Sequence, residues 1–172
     1  PEYKTLGLKV FTSNICTEIM LHTGKDTSAV CCLASTNLEF YNEWKDNKQF
    51  LCDISDYLHN VLKYFLQETS GIDEALETYR STKSNRDELV RLLAFERVRN
   101  SIKDSYDIGI GTMGWHSLLQ KRLIPFESPI AIGLNREIFS HMRQVLDEHQ
   151  EKICTQDPSL ICPMSARAGT KR

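Results

Sequence analysis

The chain has 172 residues, enough for one domain with a real core and hardly for two. Twenty-one Lys and Arg oppose 23 Asp and Glu, a net charge of −2 with both signs mixed, which offers no field for a polyanion such as nucleic acid. No apolar run reaches the length of a membrane span and no signal-peptide layout opens the chain, so it reads as soluble, intracellular and cytoplasmic.

In chain order, Leu8-Lys9-Val10-Phe11-Thr12 alternates and is β-prone, which predicts a short strand. His22 to Ser28, with Gly24 and Asp26, is polar connection, and Ala29 to Leu33 is an apolar run suited to a fully buried strand. A helix is predicted from Asp46, with Gln49 in capping-box spacing and an apolar stripe of Phe50, Ile54, Tyr57, Leu58, Val61, Leu62 and Phe65. Gln67 to Arg86 is polar and broken by Gly71. Asn85 and Glu88 open another helix, carrying Leu89, Leu92, Leu93, Phe95, Val98 and Ile102. Thr112 to Lys121 reads as a short helix after a glycine turn. Ser128-Pro129 supplies an N-cap and a first-turn proline to a long helix with Ile130, Leu134, Ile138, Met142, Val145 and Leu146 on one stripe. From Cys154 onward the chain reads as loop. It starts at Pro1 without an initiator Met and ends on Ala168-Gly169-Thr170-Lys171-Arg172, so a segment of something larger is expected.

Six cysteines (16, 31, 32, 52, 154 and 162) are too few for a disulfide-built scaffold, and no C-x-x-C occurs. A zinc site from Cys16, His22, Cys31 and Cys154 would match no ordinary ligand spacing, so no metal is expected. Cys32 and Cys52 read as small buried hydrophobes.

Gly109-Ile110-Gly111-Thr112-Met113-Gly114 spells G-x-G-x-x-G. A dinucleotide fingerprint needs a buried strand before it and a βαβ unit around it, whereas Glu96 to Asp107 reads as charged helix. The glycines are therefore assigned to a tight turn and close helix packing.

The richest run is Thr12-Ser13-Asn14-Ile15-Cys16-Thr17-Glu18, with Cys31 fifteen residues beyond Cys16. If 13–19 is extended, Asn14, Cys16 and Glu18 project to one side, and a strand through Cys31 and Cys32 would point those two thiols apart. An amide, a thiol and a carboxylate on one face can hold a hydroxyl, carry sulfur chemistry and accept a proton. Three readings follow: a cysteine nucleophile, half-buried structural cysteines, or thiol redox and radical chemistry. The first needs a histidine base, and none of His22, His59, His116, His141 and His149 stands in a recognisable protease context.

Ser13-Asn14-Ile15-Cys16-Thr17-Glu18-Ile19, followed by Ala29-Val30-Cys31-Cys32-Leu33-Ala34-Ser35-Thr36-Asn37-Leu38, resembles the catalytic large subunit of ribonucleoside-diphosphate reductase. Ile108-Gly109-Ile110-Gly111-Thr112-Met113-Gly114-Trp115-His116 resembles that family's later glycine segment. Leu123-Ile124-Pro125-Phe126-Glu127-Ser128 and Gly169-Thr170-Lys171-Arg172 follow in the family's order. Tyr106-Asp107 departs from it, where the family often carries a basic residue, and the resemblance is weakest between about Gln67 and Arg91, which implies an insertion over 68–91.

The resemblance implies that residues 1–172 are the central part of a ten-stranded α/β barrel, with helix exceeding strand in this segment. It implies that Ser13 to Glu18 bind substrate. Cys16 would become a thiyl radical and take the 3′ hydrogen of the ribose; Glu18 would accept the 3′-hydroxyl proton; Asn14 would hold the ribose hydroxyls. Cys31 would be one of two reducing cysteines that end as a disulfide, its partner lying upstream of Pro1. The family's phosphate loop would lie beyond Arg172, and its allosteric ATP and dNTP sites upstream. No cofactor is expected on this segment: the radical would come from a metal-dependent small subunit, or less readily from adenosylcobalamin. Other implied partners are the ribonucleotide substrate, the remainder of the catalytic subunit and a thioredoxin- or glutaredoxin-like reductant, and the complete enzyme would be a homo-oligomer. The alternative is a non-catalytic fragment, active only within a split or assembled subunit.

Overall fold

A computed structural model describes residues 2–14, 20–82 and 86–156. The described residues divide into two compact units: 2–14, 20–32, 59–82 and 86–107 form one, and 33–58 with 108–156 the other. The elements run α1 (Glu2–Thr5), β1 (Cys32–Asn37), a 3₁₀ turn (Leu38–Phe40), α2 (Tyr41–Trp44), α3 (Lys48–Glu68), α4 (Ile72–Thr82), α5 (Arg86–Ser105), β2 (Ile108–Met113), α6 (Trp115–Lys121) and α7 (Pro129–Gln156). Helix far exceeds strand among the described residues, as the resemblance implied.

In the first unit the predicted polar stretch 67–86 supplies α4, which packs on α5 and buries Ile72 and Leu76. Polar composition conceals this helix because only one narrow face is apolar. The α5 helix reaches back to the turn before α4 through Arg99, which is 4% exposed. Its guanidinium donates to the Thr69 carbonyl at 3.2 Å and to Asp73 at 2.6 Å. Phe65 and Phe95 add a tilted ring contact, centroids 6.2 Å apart. The predicted N-cap of α5, Asn85, lies outside the described residues.

The second unit is built on a two-stranded sheet. A Cβ on Gly111 would stand 3.4 Å from Ser35 Oγ, and Asn37 lies against Gly114, so the two strands advance in the same direction. Parallel strands need a long crossover, which the helices between them provide in sequence. The core below gathers Leu38, Tyr41, Trp44, Leu51, Leu118, Leu119, Ala131, Leu134, Ile138, Met142 and Val145. Trp44 Nε1 donates to the Asn37 carbonyl at 3.1 Å, and Tyr41 meets Trp44 edge-on at 5.0 Å. Two polar contacts join the start and middle of α3 to α7: Lys48 to Glu148 at 2.9 Å and Asp56 to His149 at 2.8 Å.

Several expectations are corrected. Residues 8–12 form no strand, since alternation yields a strand only where a neighbour completes the ladder, and no strand among the described residues pairs with them. The strand expected over Ala29–Leu33 begins at Cys32, and one of its faces is open: Leu33 is 52% exposed while Thr36 is buried. The α3 helix starts at Lys48 rather than Asp46, and Gln49 reaches forward to Asp53 at 2.7 Å instead of back in a capping box. Its buried stripe is Leu51, Ser55, Leu58 and Leu62, which leaves Tyr57 66% exposed. The Ser128 cap of α7 is realised, its Oγ accepting from Ala131 N–H at 3.1 Å, but Ala131 rather than Ile130 faces the core. Helix α7 continues through Cys154, where a loop was expected.

The glycine segment differs most from its reading. Ile108–Met113 is strand β2, and helix begins only at Trp115. The turn is Gly114 alone, at φ 76°. A Cβ there would collide with the Asn37 carboxamide, so the last glycine of the G-x-G-x-x-G seats a side chain of the same chain rather than a phosphate.

Candidate active site

The reactive run begins in the irregular segment after α1. Thr12 Oγ1 donates to the Ser13 carbonyl at 3.2 Å, and Ser13 Oγ to the Asn14 carbonyl at 3.1 Å. Ser13 is half-buried and Asn14 is exposed. Ile15, Cys16, Thr17 and Glu18 lie outside the described residues, as does the extended conformation expected through them.

After the run, the chain is tied down tightly. His22 Nδ1 lies 2.7 Å from the Lys9 carbonyl oxygen. A carbonyl can only accept, so Nδ1 carries the proton. The Tyr3 and His22 rings sit 6.3 Å apart, tilted by 55°. Next, Gly24 N–H donates to Thr27 Oγ1 and to the Thr27 carbonyl, both at 3.1 Å, which closes a small turn. That turn is fastened to α5: Ser28 N–H donates to the Arg97 carbonyl at 3.0 Å, Arg97 to the Gly24 carbonyl at 3.1 Å and Asn100 to the Asp26 carbonyl at 3.2 Å. Ala29 N–H donates to Thr23 Oγ1 at 3.2 Å, and the chain then runs to Cys31 and into β1. Thus Asn14 and Cys31 belong to one unit, and the stretch from His22 to Ala29 that leads to Cys31 is anchored.

Cys31 is half-buried, with its Sγ 3.7 Å from the Cys32 carbonyl. Cys32 shares the more covered face of β1 with Ala34 and Thr36, and burial pushes its thiol up, so it stays protonated and inert. Cys52 packs against the core of the second unit, and burial, with Asp56 and Asp53 adding to it, pushes its thiol up as well. Both fit the packing role read from sequence. Among the described residues no three His, Cys, Asp or Glu side chains gather where a metal ion could be held. No helix among them is long and apolar enough to cross a membrane. Arg97 and Asn100 were not singled out in the sequence, and His22 was weighed only as a metal ligand or base; their partners here are backbone carbonyls, which leave no trace in residue identities.

Residues 4–158 match the family described as ribonucleotide reductase, barrel domain. The chain belongs to the ribonucleotide reductase barrel-domain family. It is similar to the ribonucleoside-diphosphate reductase large subunit of Invertebrate iridescent virus 3, 36% identical over 150 residues, 87% of this chain and 20% of that protein. The corresponding protein of Invertebrate iridescent virus 6 is 38% identical over 132 residues, 77% of this chain and 12% of its own length. Among solved structures, the Actinobacillus ureae class Id ribonucleotide reductase alpha subunit matches with a TM-score of 0.76 and 27% identity, over 99% of this chain and 28% of that one. The chain therefore spans about a fifth or less of these viral relatives and is a central segment of a reductase large subunit. The matched range holds the Ser13–Glu18 run, Cys31 and the glycine segment; Gly169 to Arg172 lies beyond it.

Proposed function

We propose that this segment carries the radical and reducing centre with which the complete large subunit converts ribonucleotides to deoxyribonucleotides for DNA synthesis. The observation that carries the reading is the family match over residues 4–158, a range that includes both the Ser13-Asn14-Ile15-Cys16-Thr17-Glu18 run and Cys31. A thiyl radical on Cys16 takes the 3′ hydrogen of the ribose while Glu18 accepts the 3′-hydroxyl proton and Asn14 holds the hydroxyls. The 2′ carbon–oxygen bond breaks and water leaves. Cys31 and a second thiol supply two electrons and two hydrogens and become a disulfide, and Cys16 returns its hydrogen to the 3′ carbon. In sum, one ribonucleotide and two thiols give one deoxyribonucleotide, one disulfide and water. A radical-generating subunit and a small dithiol reductant complete the cycle.

The test is deoxynucleotide formation by the complete large subunit, supplied with its radical-generating partner and a dithiol. Cys16→Ala abolishes product, and Cys31→Ser abolishes turnover driven by the dithiol. Activity that survives Cys16→Ala refutes the radical assignment.

A further inference from the structure

We infer that Arg97 on α5 is a positioning residue for Cys31, gripping both ends of the turn that leads to this thiol. The inference rests on the reading of Cys31 as one of the two reducing cysteines, and Arg97, the turn and Cys31 all belong to one compact unit. Three observations carry it. The first is that a single residue makes both contacts. Arg97 Nη2 donates to the Gly24 carbonyl at the turn's entry, a part-buried bond of 3.1 Å, and the Arg97 carbonyl accepts from Ser28 N–H at its exit, at 3.0 Å. Between these points the turn closes on itself through Gly24 N–H and Thr27. A turn fastened at one end can pivot; fastened at both to one helical residue, it moves only with α5. The helix is braced in turn by the buried Arg99, which donates to the Thr69 carbonyl and to Asp73. The second is that Arg97 Nε is buried with no hydrogen-bond partner among the described residues. A buried donor left unsatisfied is destabilising, so the guanidinium keeps its place against the turn at a cost that exposure to water would relieve. The third is that the tether is short. Cys31 follows Ser28 by three residues, which reach at most about 11 Å, and β1 begins at the next residue, Cys32. Without the side-chain grip, the turn's other side-chain bond to α5 is the exposed one from Asn100 to the Asp26 carbonyl. In the proposed reaction Cys31 and a second thiol give up two protons and two electrons and join as a disulfide. That bond needs the two Cα atoms within roughly 4.4–6.8 Å, and a displacement of about 1 Å at a reacting group can cost roughly a hundredfold in rate.

Arg97 acts through the backbone of the turn and not on the reacting atoms. The test uses the complete large subunit with its radical-generating partner and a dithiol. Arg97→Met keeps a long stem but has no donor, and roughly a 10- to 100-fold fall in kcat is expected, with a change in ribonucleotide KM below about threefold. Arg97→Lys returns a donor to the Gly24 carbonyl and restores kcat to within about fivefold of the parent. Hydrogen exchange of the amides in 24–31 accelerates about tenfold in the Met variant, returns towards the parent in the Lys variant, and stays unchanged in both over 129–145 of the second unit. If the Met variant does not fold, Arg97→Gln, polar but shorter than the guanidinium, takes its place against the same Lys variant. A Met or Gln variant with kcat within threefold of the parent, a Lys variant no better than either, or unmoved exchange over 24–31 overturns the inference. The exchange measurement reads the grip independently of the chemistry. If Cys31→Ser keeps its dithiol-driven turnover, the reading of Cys31 as a reductant falls, while the amides of 24–31 still decide whether Arg97 holds the approach to it.

Discussion

Replacing Gly114 by Ala strikes the joint where β2 turns into α6. Gly114 holds φ 76° and ψ 15°, a left-handed conformation that costs an L-residue about 1–2 kcal/mol. The added methyl would also collide with Asn37 Oδ1 and stand 3.1 Å from Glu39 N. The Asn37 carboxamide cannot yield freely, because its Oδ1 accepts from Glu39 N–H at 3.0 Å and caps the 3₁₀ turn. Losing such a cap costs about 1 kcal/mol, so the total is about 2–3 kcal/mol. Measured as local opening in the complete large subunit, this becomes roughly 30- to 150-fold faster amide exchange over 33–44 and 108–119. The double variant Gly114→Ala with Asn37→Ala should cost about 1 kcal/mol less than the sum of the singles, because the obstructing carboxamide has gone. An exchange change below threefold for Gly114→Ala, or strict additivity in the double variant, would refute the steric argument.

Other expectations follow from the same structure. Ser128→Ala removes the oxygen that caps α7 and should destabilise its first turn by about 1 kcal/mol, seen as several-fold faster exchange confined to 129–133. Ile138→Ala empties a fully buried site in the core of the second unit and should cost about 2–5 kcal/mol, read from the denaturation midpoint. The hydrogen bond from Arg99 holds the Asp73 carboxyl below the usual carboxylate value. Its folded pKa lies below its unfolded one, so its contribution is complete above the unfolded value, about 3.9, and fades as pH falls through the folded value. Asp73→Asn should therefore flatten the acid limb of α4 exchange, and an unchanged pH slope would contradict this. Cys32, protonated and half-covered, should react with iodoacetamide more slowly than a peptide thiol. Cys32→Ala should leave deoxynucleotide formation intact.

Local signals carried the helices furthest. Helix α7 was legible because its cap, its proline and the stripe Leu134, Ile138, Met142 and Val145 all lie within one stretch of chain. The facing of α3 was not, since Phe50, Tyr57 and Val61 are as apolar as Leu51, Leu58 and Leu62; periodicity specifies a helix but cannot rank two competing stripes. Strands depend on partners. The run 8–12 alternates but pairs with no strand among the described residues, while Ile108–Met113, glycine-bearing and a poor strand by propensity, becomes one beside β1, where Gly111 lies against Ser35. The chemistry of the site was legible as residue types in order. The support beneath it was not, because His22, Arg97 and Asn100 act on backbone carbonyls that any residue would supply.

The pairing of β1 with β2 also sets a timetable for folding. Thr36 Oγ1 donates to the Gly111 carbonyl across 75 residues of chain. Closing a loop of that length in an unstructured chain costs about 4 kcal/mol in entropy, before any ladder bond forms to offset it. During synthesis at about 5–20 residues per second, β1 waits roughly 4–15 s for its partner to leave the ribosome. Helices α3 to α5 need far less time to form, about a microsecond each. The nascent chain therefore carries β1 for seconds before β2 can pair with it.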